Sequence, residues 1–324
     1  MNASVHAKLL SNVYFGSMKP IESGVFAETL QMPSIYTFAG ALMTRLLELG
    51  MDNPRDNVKK GDINIYGIYI RYDDKYYVPI TPYVIDRNLK LRLPINKDNF
   101  ISIDLYSSTS ILHNNVLIPR FEGLDKDNLK KRYFIEINNI KEDAPVKSDI
   151  IKYDIEERIR TALKYDTKTP DEEKLFSLSM LSHTKDHFHT IYYCLDVKLQ
   201  DEYKLNKWVG HFGGENSIAE FSTGDNTPLM DIINKYTSDT YTYLAVSHIP
   251  IKYKDGSLIT KYGKIRNIIG KITQLGGYDI YESVMKKIYA CIEPGSIFIL
   301  DNKTENYFGD EWYIELLNSV IPIM

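Results

Sequence analysis

Apolar residues recur along this chain in two rhythms, one close to 3.6 residues and one of two residues. Between Met32 and Leu49 the helical rhythm holds: Ile35, Phe38, Ala39, Leu42, Leu46 and Leu49 share one face, and Gly50 supplies a stop. The stripe is core. Arg45 is the only basic residue on this helix and points either at a ligand or at water. Asn53 to Lys60 is polar and reads as a loop. Ile63 to Tyr72 and Tyr76 to Ile80, separated by Asp73-Asp74, predict a β-hairpin. Ahead of all of these, Val5 to Phe15 reads as a first strand and its exit.

Residues Asp86 to Lys152 break the rhythm. Short strand-like runs (Ile101 to Tyr106, Tyr133 to Ile137) lie among charged, proline-dotted links, which predicts an inserted, partly mobile lobe. Its charge cluster from Lys126 to Arg132 reads as a solvated face. Beyond Glu156 the pattern tightens again. Thr190 to Leu199 is a strong strand, Pro228 to Tyr236 a short amphipathic helix, and Tyr241 to Ile251 a strand. Ile288 to Ile292, a turn at Glu293 to Ser296 and Ile297 to Leu300 follow. Strands alternate with one or two helices in both halves, which predicts an α+β chain of two small sandwiches, each a sheet with helices on one face.

The run Trp208 to Ser217 draws most of the attention. It reads as a strand that breaks at Gly213-Gly214 and resumes at Ile218. Paired glycines reach positive φ and let another chain come close to the peptide groups. Bare amides there would form an anion nest, although a glycine turn with no ligand fits the same letters. Neither a P-loop lysine nor a nucleophile follows.

Composition narrows the classes. The 324 residues suit two domains, and 44% hydrophobic with 25% charged residues is ordinary for a globular protein. Cys194 and Cys291 sit in apolar runs with no CxxC spacing, as buried thiols in a reducing compartment would. The opening residues lack the apolar core of a signal peptide, and no window is apolar enough for a membrane span, so a cytoplasmic location is expected. A net charge of −4 argues against a general nucleic-acid sponge and leaves room for a local basic groove. The 25 tyrosines suit sheets, interfaces and base stacking alike.

Candidate chemistry is sparse. His183, His187 and His189 with Asp186 form the one dense cluster of metal-ligand types, but the spacing matches no known module, so no metal or cofactor is expected. His211, beside the glycines, is the best single candidate for a general base, against the reading of a hydrogen-bonded structural histidine. The longest basic stretch carries Lys252, Lys254, Lys261, Lys264, Arg266 and Lys271 against Asp255 alone, with Tyr253 and Tyr262 interleaved. Such a stretch holds phosphates and stacks bases, or is a solvated arm.

Several short motifs, in order, carry a resemblance: Pro33-Ser34 then Gly40-Ala41-Leu42; Glu157-Arg158-Ile159; Gly213-Gly214-Glu215; Gly276-Gly277-Tyr278-Asp279; and Pro294-Gly295-Ser296-Ile297-Phe298. Together they resemble the Cmr3-type RAMP subunit of type III-B CRISPR effectors. Met43 stands where that family tends to have arginine, Tyr278 where it has tryptophan, and Glu293 where it has a small or apolar residue. The resemblance implies two ferredoxin-like, RRM-related domains, assigned here to residues 1–180 (with an inserted lobe at about 86–152) and 181–324. It also implies a non-catalytic role: capping the crRNA 5′ end by holding its repeat-derived handle, and packing on the large polymerase-like subunit and the backbone RAMP subunits. The expected RNA contacts are Gly213, Gly214 and Asn216, with Gly276 and Gly277 lining the same groove and Arg45, Arg158, Lys261 and Arg266 on phosphates. The rival expectation is a RAMP endoribonuclease that processes repeat RNA with His211 or His6 as base.

Overall fold

A computed structural model describes residues 1–16, 26–27, 29–30, 32–105, 114–148, 150–151, 153–163, 170–183, 191–200, 203–214, 216–235, 240–276, 278–279, 284–304, 308, 311–317 and 319–323. Two eight-stranded antiparallel sheets dominate it. The first runs, in space, Trp208–His211, Ile218–Gly224, Asn2–Leu9, Ile191–Lys198, Asn64–Tyr72, Lys75–Ile80, Tyr133–Glu136 and Lys147–Ser148. The second runs Ile272–Leu275, Tyr289–Ile292, Ile249–Lys254, Ser257–Thr260, Gly263–Ile269, Ile297–Lys303, Thr242–Ala245 and Val320–Pro322.

Alternation explains the first sheet. Along Asn2–Leu9, Ala3, Val5, Ala7 and Leu9 face one core, while Ser4 and His6 are buried on the other side. Ile191–Lys198 repeats the pattern, with Ile191, Tyr193, Leu195 and Val197 on the same side as the helix and Cys194 and Asp196 opposite. Helix Ile35–Glu48 covers the first side with Ile35, Phe38, Ala39, Leu42 and Leu46; Ser34 caps it by accepting from the Thr37 amide. Four adjacent strands, Ile218–Gly224, Asn2–Leu9, Ile191–Lys198 and Asn64–Tyr72, numbered in chain order, lie as 4-1-3-2 with that helix between the first two, which is the split βαβ arrangement of a ferredoxin-like sheet. Among the described residues no helix lies between its third and fourth strands; the edge strand Trp208–His211 runs there instead. This sheet takes strands from both sides of residue 180.

Three expectations change. Asn53 to Lys60 is not a loop: Pro54–Lys60 is helical, with Asn53 accepting from the Asp56 amide, Pro54 in the first turn and Gly61 closing it at φ 80°. Tyr241 to Ile251 is two strands, Thr242–Ala245 and Ile249–Lys254. The second half does not alternate strand and helix either. Pro228–Lys235 is its only α-helix among the described residues, and tight turns, such as the one at Asp255 (φ 50°) and Gly256 (φ 75°), join successive strands with no room for a crossover. The hairpin at Asp73-Asp74 forms as expected, both residues having positive φ.

The lobe between 86 and 152 has its own frame. Phe100–Leu105 pairs with Asn114–Pro119, while Tyr133–Glu136 joins the first sheet. Buried Asp86 takes the Arg92 guanidinium at 2.7 Å and the amides of Asn88 and Lys90. Burial works against its charge, but these donors prevail and hold the carboxyl below its usual range.

A second buried carboxylate joins the two halves. Asp196, on the first sheet, accepts from the Tyr69 hydroxyl (2.6 Å) and from the Leu229 and Met230 amides (2.9 and 2.8 Å), capping helix Pro228–Lys235. The two long strands Tyr153–Leu163 and Pro170–His183 form a separate hairpin, tied to the first sheet's exit by paired bonds between Val13 and Leu181. No helix among the described residues is long and apolar enough to cross a membrane.

Candidate nucleic-acid interface

The two sheets meet at a backbone joint. The Thr81 amide donates to the Gly295 carbonyl (2.8 Å), and the Gly295 amide to the Ala245 carbonyl (2.7 Å). Gly295 has φ +90°, and a Cβ there would stand 3.1 Å from the Ile80 nitrogen and the Pro79 carbonyl carbon. Only glycine lets the turn at Pro294-Gly295-Ser296 lie against the other sheet so closely. Next to it the Ser296 hydroxyl accepts from the Lys271 amide (3.1 Å).

This joint floors a cleft of about 490 Å³. Met32, Pro33, Ser34 and Ile35 bring the first turn of helix Ile35–Glu48 to it. Lys130, Lys131 and Arg132 reach it from the lobe, and Lys271, Thr273 and Gln274 from the second sheet. Four cations therefore line it against one acid, Glu293. His248 also lines it, and burial pushes its imidazole down to about 4, so it adds no charge near neutrality. Helix-start amides and clustered cations are the two elements of an anion site.

The basic arm is held in place. Asp125 accepts from the Asn128 amide at 2.8 Å and the Asn128 side chain at 3.0 Å, and the Tyr133 hydroxyl donates to the Asn128 carbonyl at 3.1 Å. Exposed Lys130 and Lys131 follow directly on this turn.

The residues singled out from the sequence stand elsewhere. Gly213 (φ +98°) packs on the segment after the first strand: its Cβ would lie 2.7 Å from the Tyr14 carbonyl oxygen and 2.8 Å from Val13 Cγ2. The Gly214 amide donates to that Tyr14 carbonyl (2.8 Å), and the Ser217 amide to the Gly214 carbonyl (3.1 Å). Among the described residues of this loop the Phe212, Gly214 and Ser217 amides are taken by the chain's own carbonyls, and Gly213 admits the chain's own backbone. Asn216 is exposed at φ 57°. Gly276 is buried, and its Cβ would stand 3.0 Å from Ile288 Cγ1, while Gly277 lies outside the described residues. Neither bend lines the cleft. Gly276 follows the lining residue Leu275, and Tyr14, bridged to Gly214, is two residues from the lining residue Gly16.

Arg45 is half-buried and does not line the cleft: it bonds exposed Glu48 (2.8 Å) and lies 5.9 Å from the Trp208 ring centroid. Arg158, on the long hairpin, donates to Glu156 at 2.6 Å. Lys261 sits in the turn before Gly263–Ile269, and Arg266 on that strand faces a different cleft. Of the basic stretch only Lys271 reaches the inter-sheet cleft; Lys252 donates to the Phe308 carbonyl at 3.1 Å and Lys264 lies 3.8 Å from Asp301.

His6 is 5% exposed and shares a 2.8 Å hydrogen bond with Ser4 Oγ. Burial, with Arg71 nearby, lowers its imidazole to about 4. A base sealed this way meets no polynucleotide. His211 is exposed on strand Trp208–His211. Both cysteines are buried, with Cys194 pushed well above its usual range and Cys291 to about 12, as inert thiols are. Among the described residues no three His, Cys, Asp or Glu side chains gather as a metal set; the side chains of His183, Asp186, His187 and His189 lie outside them.

No protein-family model matches the sequence, and no curated protein matches it. Solved structures do. One chain from a structure of the type III-B Cmr-beta bound to cognate target RNA and AMPPnP aligns at TM-score 0.53 and 22% identity, covering 91% of this chain and 86% of that one. A chain from a second structure, of the type III-B Cmr-beta bound to cognate target RNA, aligns at TM-score 0.54 and 20% identity with the same coverage. Over nearly its whole length, this protein has the fold of a chain of the type III-B Cmr-beta.

Proposed function

We propose that this chain is a non-catalytic, RNA-binding structural subunit of a type III-B CRISPR interference complex, where it holds the crRNA 5′ handle and joins the large polymerase-like subunit to the backbone RAMP subunits. The observation that carries this reading is the inter-sheet cleft, where Lys130, Lys131, Arg132, Lys271 and a helix N-terminus converge in a fold shared with a chain of an RNA-bound assembly. Unpaired RNA is held through its phosphates by such cations while its bases splay outward. Exposed Gly214 and Asn216 offer flanking contacts outside this bed.

The test is photo-crosslinking in the reconstituted complex, with a crRNA carrying a photoreactive nucleotide in its 5′ handle. Crosslinks to peptides containing residues 129–133 and 271–275 are expected. Crosslinks confined to other subunits would overturn the assignment. Incubating the purified chain with repeat RNA in the absence of metal is expected to yield no cleavage.

A further inference from the structure

Glu293 is the acid in a cleft lined by four cations, and the strand register fixes its neighbours. Ile292 pairs with Ile249 on one side and with Ile272 on the other. One residue further along, the Glu293 amide donates to the Lys271 carbonyl at 2.9 Å. The same step past Ile249 is His248, so His248, Glu293 and Lys271 stand in a row across three strand ends. Residues opposite one another in antiparallel strands project to one face, and all three line the cleft. Glu293 and His248 are half-buried there, and Lys271 is exposed. Among the described residues, no hydrogen bond or ion pair engages any of these three side chains.

A carboxylate among phosphate-binding cations repels the backbone those cations hold, so it fits an RNA site only through the bases. On its Watson–Crick edge guanine presents two adjacent donors, N1–H and the N2 amino group, which match the two oxygens of one carboxylate. The acceptor O6 follows on the same edge, and His248, uncharged near neutrality, has one ring N–H to give. Adenine and cytosine set an acceptor beside their amino group, and uracil sets its N–H between two carbonyls, so each turns a lone pair on the carboxylate. From this row we infer, on the reading that the cleft holds RNA, that it is a recognition site for one unpaired guanine. N1–H and N2–H donate to Glu293 and O6 accepts from His248. The sugar edge then faces Lys271, which keeps the adjoining phosphate. Splayed bases are read on this edge, and Met32, Pro33, Ile68 and Pro294 line the same cleft as an apolar surround for the ring.

The test titrates the full chain with fluorescently labelled octauridylate and with copies in which one central uridine is guanosine, inosine or adenosine. The guanosine RNA is expected to bind about tenfold tighter than octauridylate, and the adenosine RNA no tighter. Inosine lacks the N2 amino group and should bind about threefold weaker than guanosine. Glu293→Gln keeps the shape but turns one acceptor into a donor; it should abolish the preference without weakening octauridylate binding. His248→Ala should cut the preference about threefold. Equal binding of the guanosine RNA and octauridylate by the parent chain, or a guanosine preference kept in Glu293→Gln, would overturn the inference. Binding that weakens when Lys130, Lys131 and Arg132 become glutamine, yet shows no base preference, keeps the RNA-binding role and removes the guanine site. Absence of binding to every octamer removes both.

Discussion

Gly295→Ala tests the joint on which the inter-sheet cleft is built. The backbone at Gly295 has φ +90°, where a residue with a Cβ is strained by about 1–2 kcal/mol. The new methyl would also stand 3.1 Å from the Ile80 nitrogen and the Pro79 carbonyl carbon and 3.3 Å from the Ile80 carbonyl carbon. These are backbone atoms of a paired strand, which cannot swing aside as a side chain does, so overpacking adds about 1–2 kcal/mol. The total is about 2–4 kcal/mol. For 324 residues, an unfolding entropy of about 2.1 cal/mol/K per residue converts this to a melting-temperature loss of about 3–6 °C. Gly256→Ala is the control, because Gly256 has φ +75° and nothing within 4 Å of its would-be Cβ. It carries the backbone term without the contact. Thermal and urea melts followed by circular dichroism should place Gly295→Ala below Gly256→Ala by about 1–2 kcal/mol. Equal melts for the two variants would refute the close approach of the sheets.

Three further outcomes follow from one buried carboxyl and two tightly packed glycines. Burial raises the Asp196 carboxyl to about 7 against the donors around it. The folded state then holds a proton that the unfolded chain, titrating near 4, has released, so this group's stabilising effect is full below pH 4 and is lost as pH rises to about 7. Three units correspond to about 4 kcal/mol; urea melts at pH 5 and pH 8 should show Asp196→Asn losing much less stability than the parent over that interval, and parallel losses would contradict this. Gly213→Val forces a β-branched residue to φ +98° with its Cβ 2.7 Å from the Tyr14 carbonyl oxygen. It should lower stability by more than about 3 kcal/mol with no RNA present. Gly214→Ala, whose Cβ meets the Tyr14 ring at 3.0 Å, should cost about 1 kcal/mol because that ring can shift.

Local structure was legible where a single element carries its own signal. The stripe at Ile35, Phe38, Leu42 and Leu46 and the Asp73-Asp74 turn needed no tertiary context. Helix Pro54–Lys60 was missed because it buries only Pro54 and Val58, so no stripe shows; its Asn53 cap, Pro54, terminal Lys59-Lys60 and Gly61 spell the helix instead. Strand order was out of reach. Ile191–Lys198 lies between Asn2–Leu9 and Asn64–Tyr72, and no periodicity encodes a pairing across more than a hundred residues.

The site shows the same divide. The sequence marks Gly213, Gly214 and Gly276 as places of close approach, and the structure agrees, but what approaches is the protein's own Tyr14 and Ile288. The Lys126 to Arg132 cluster looked like a solvated face because nothing in its letters places Lys130 opposite Lys271. A proline-glycine turn at 294–295 likewise shows its role as a joint only once both sheets are in place.

The cleft is tested most directly by the salt dependence of RNA binding. On the proposed reading, replacing Lys130, Lys131, Arg132 and Lys271 together by glutamine removes four phosphate contacts, each worth about 0.7 in the slope of log affinity against log salt for a single strand. Titrations of the full chain with single-stranded crRNA between 50 and 200 mM salt should therefore give a slope shallower by about 3 than that of the parent, with weaker binding at the low-salt end. A slope and affinity equal to the parent's would show that the handle lies elsewhere.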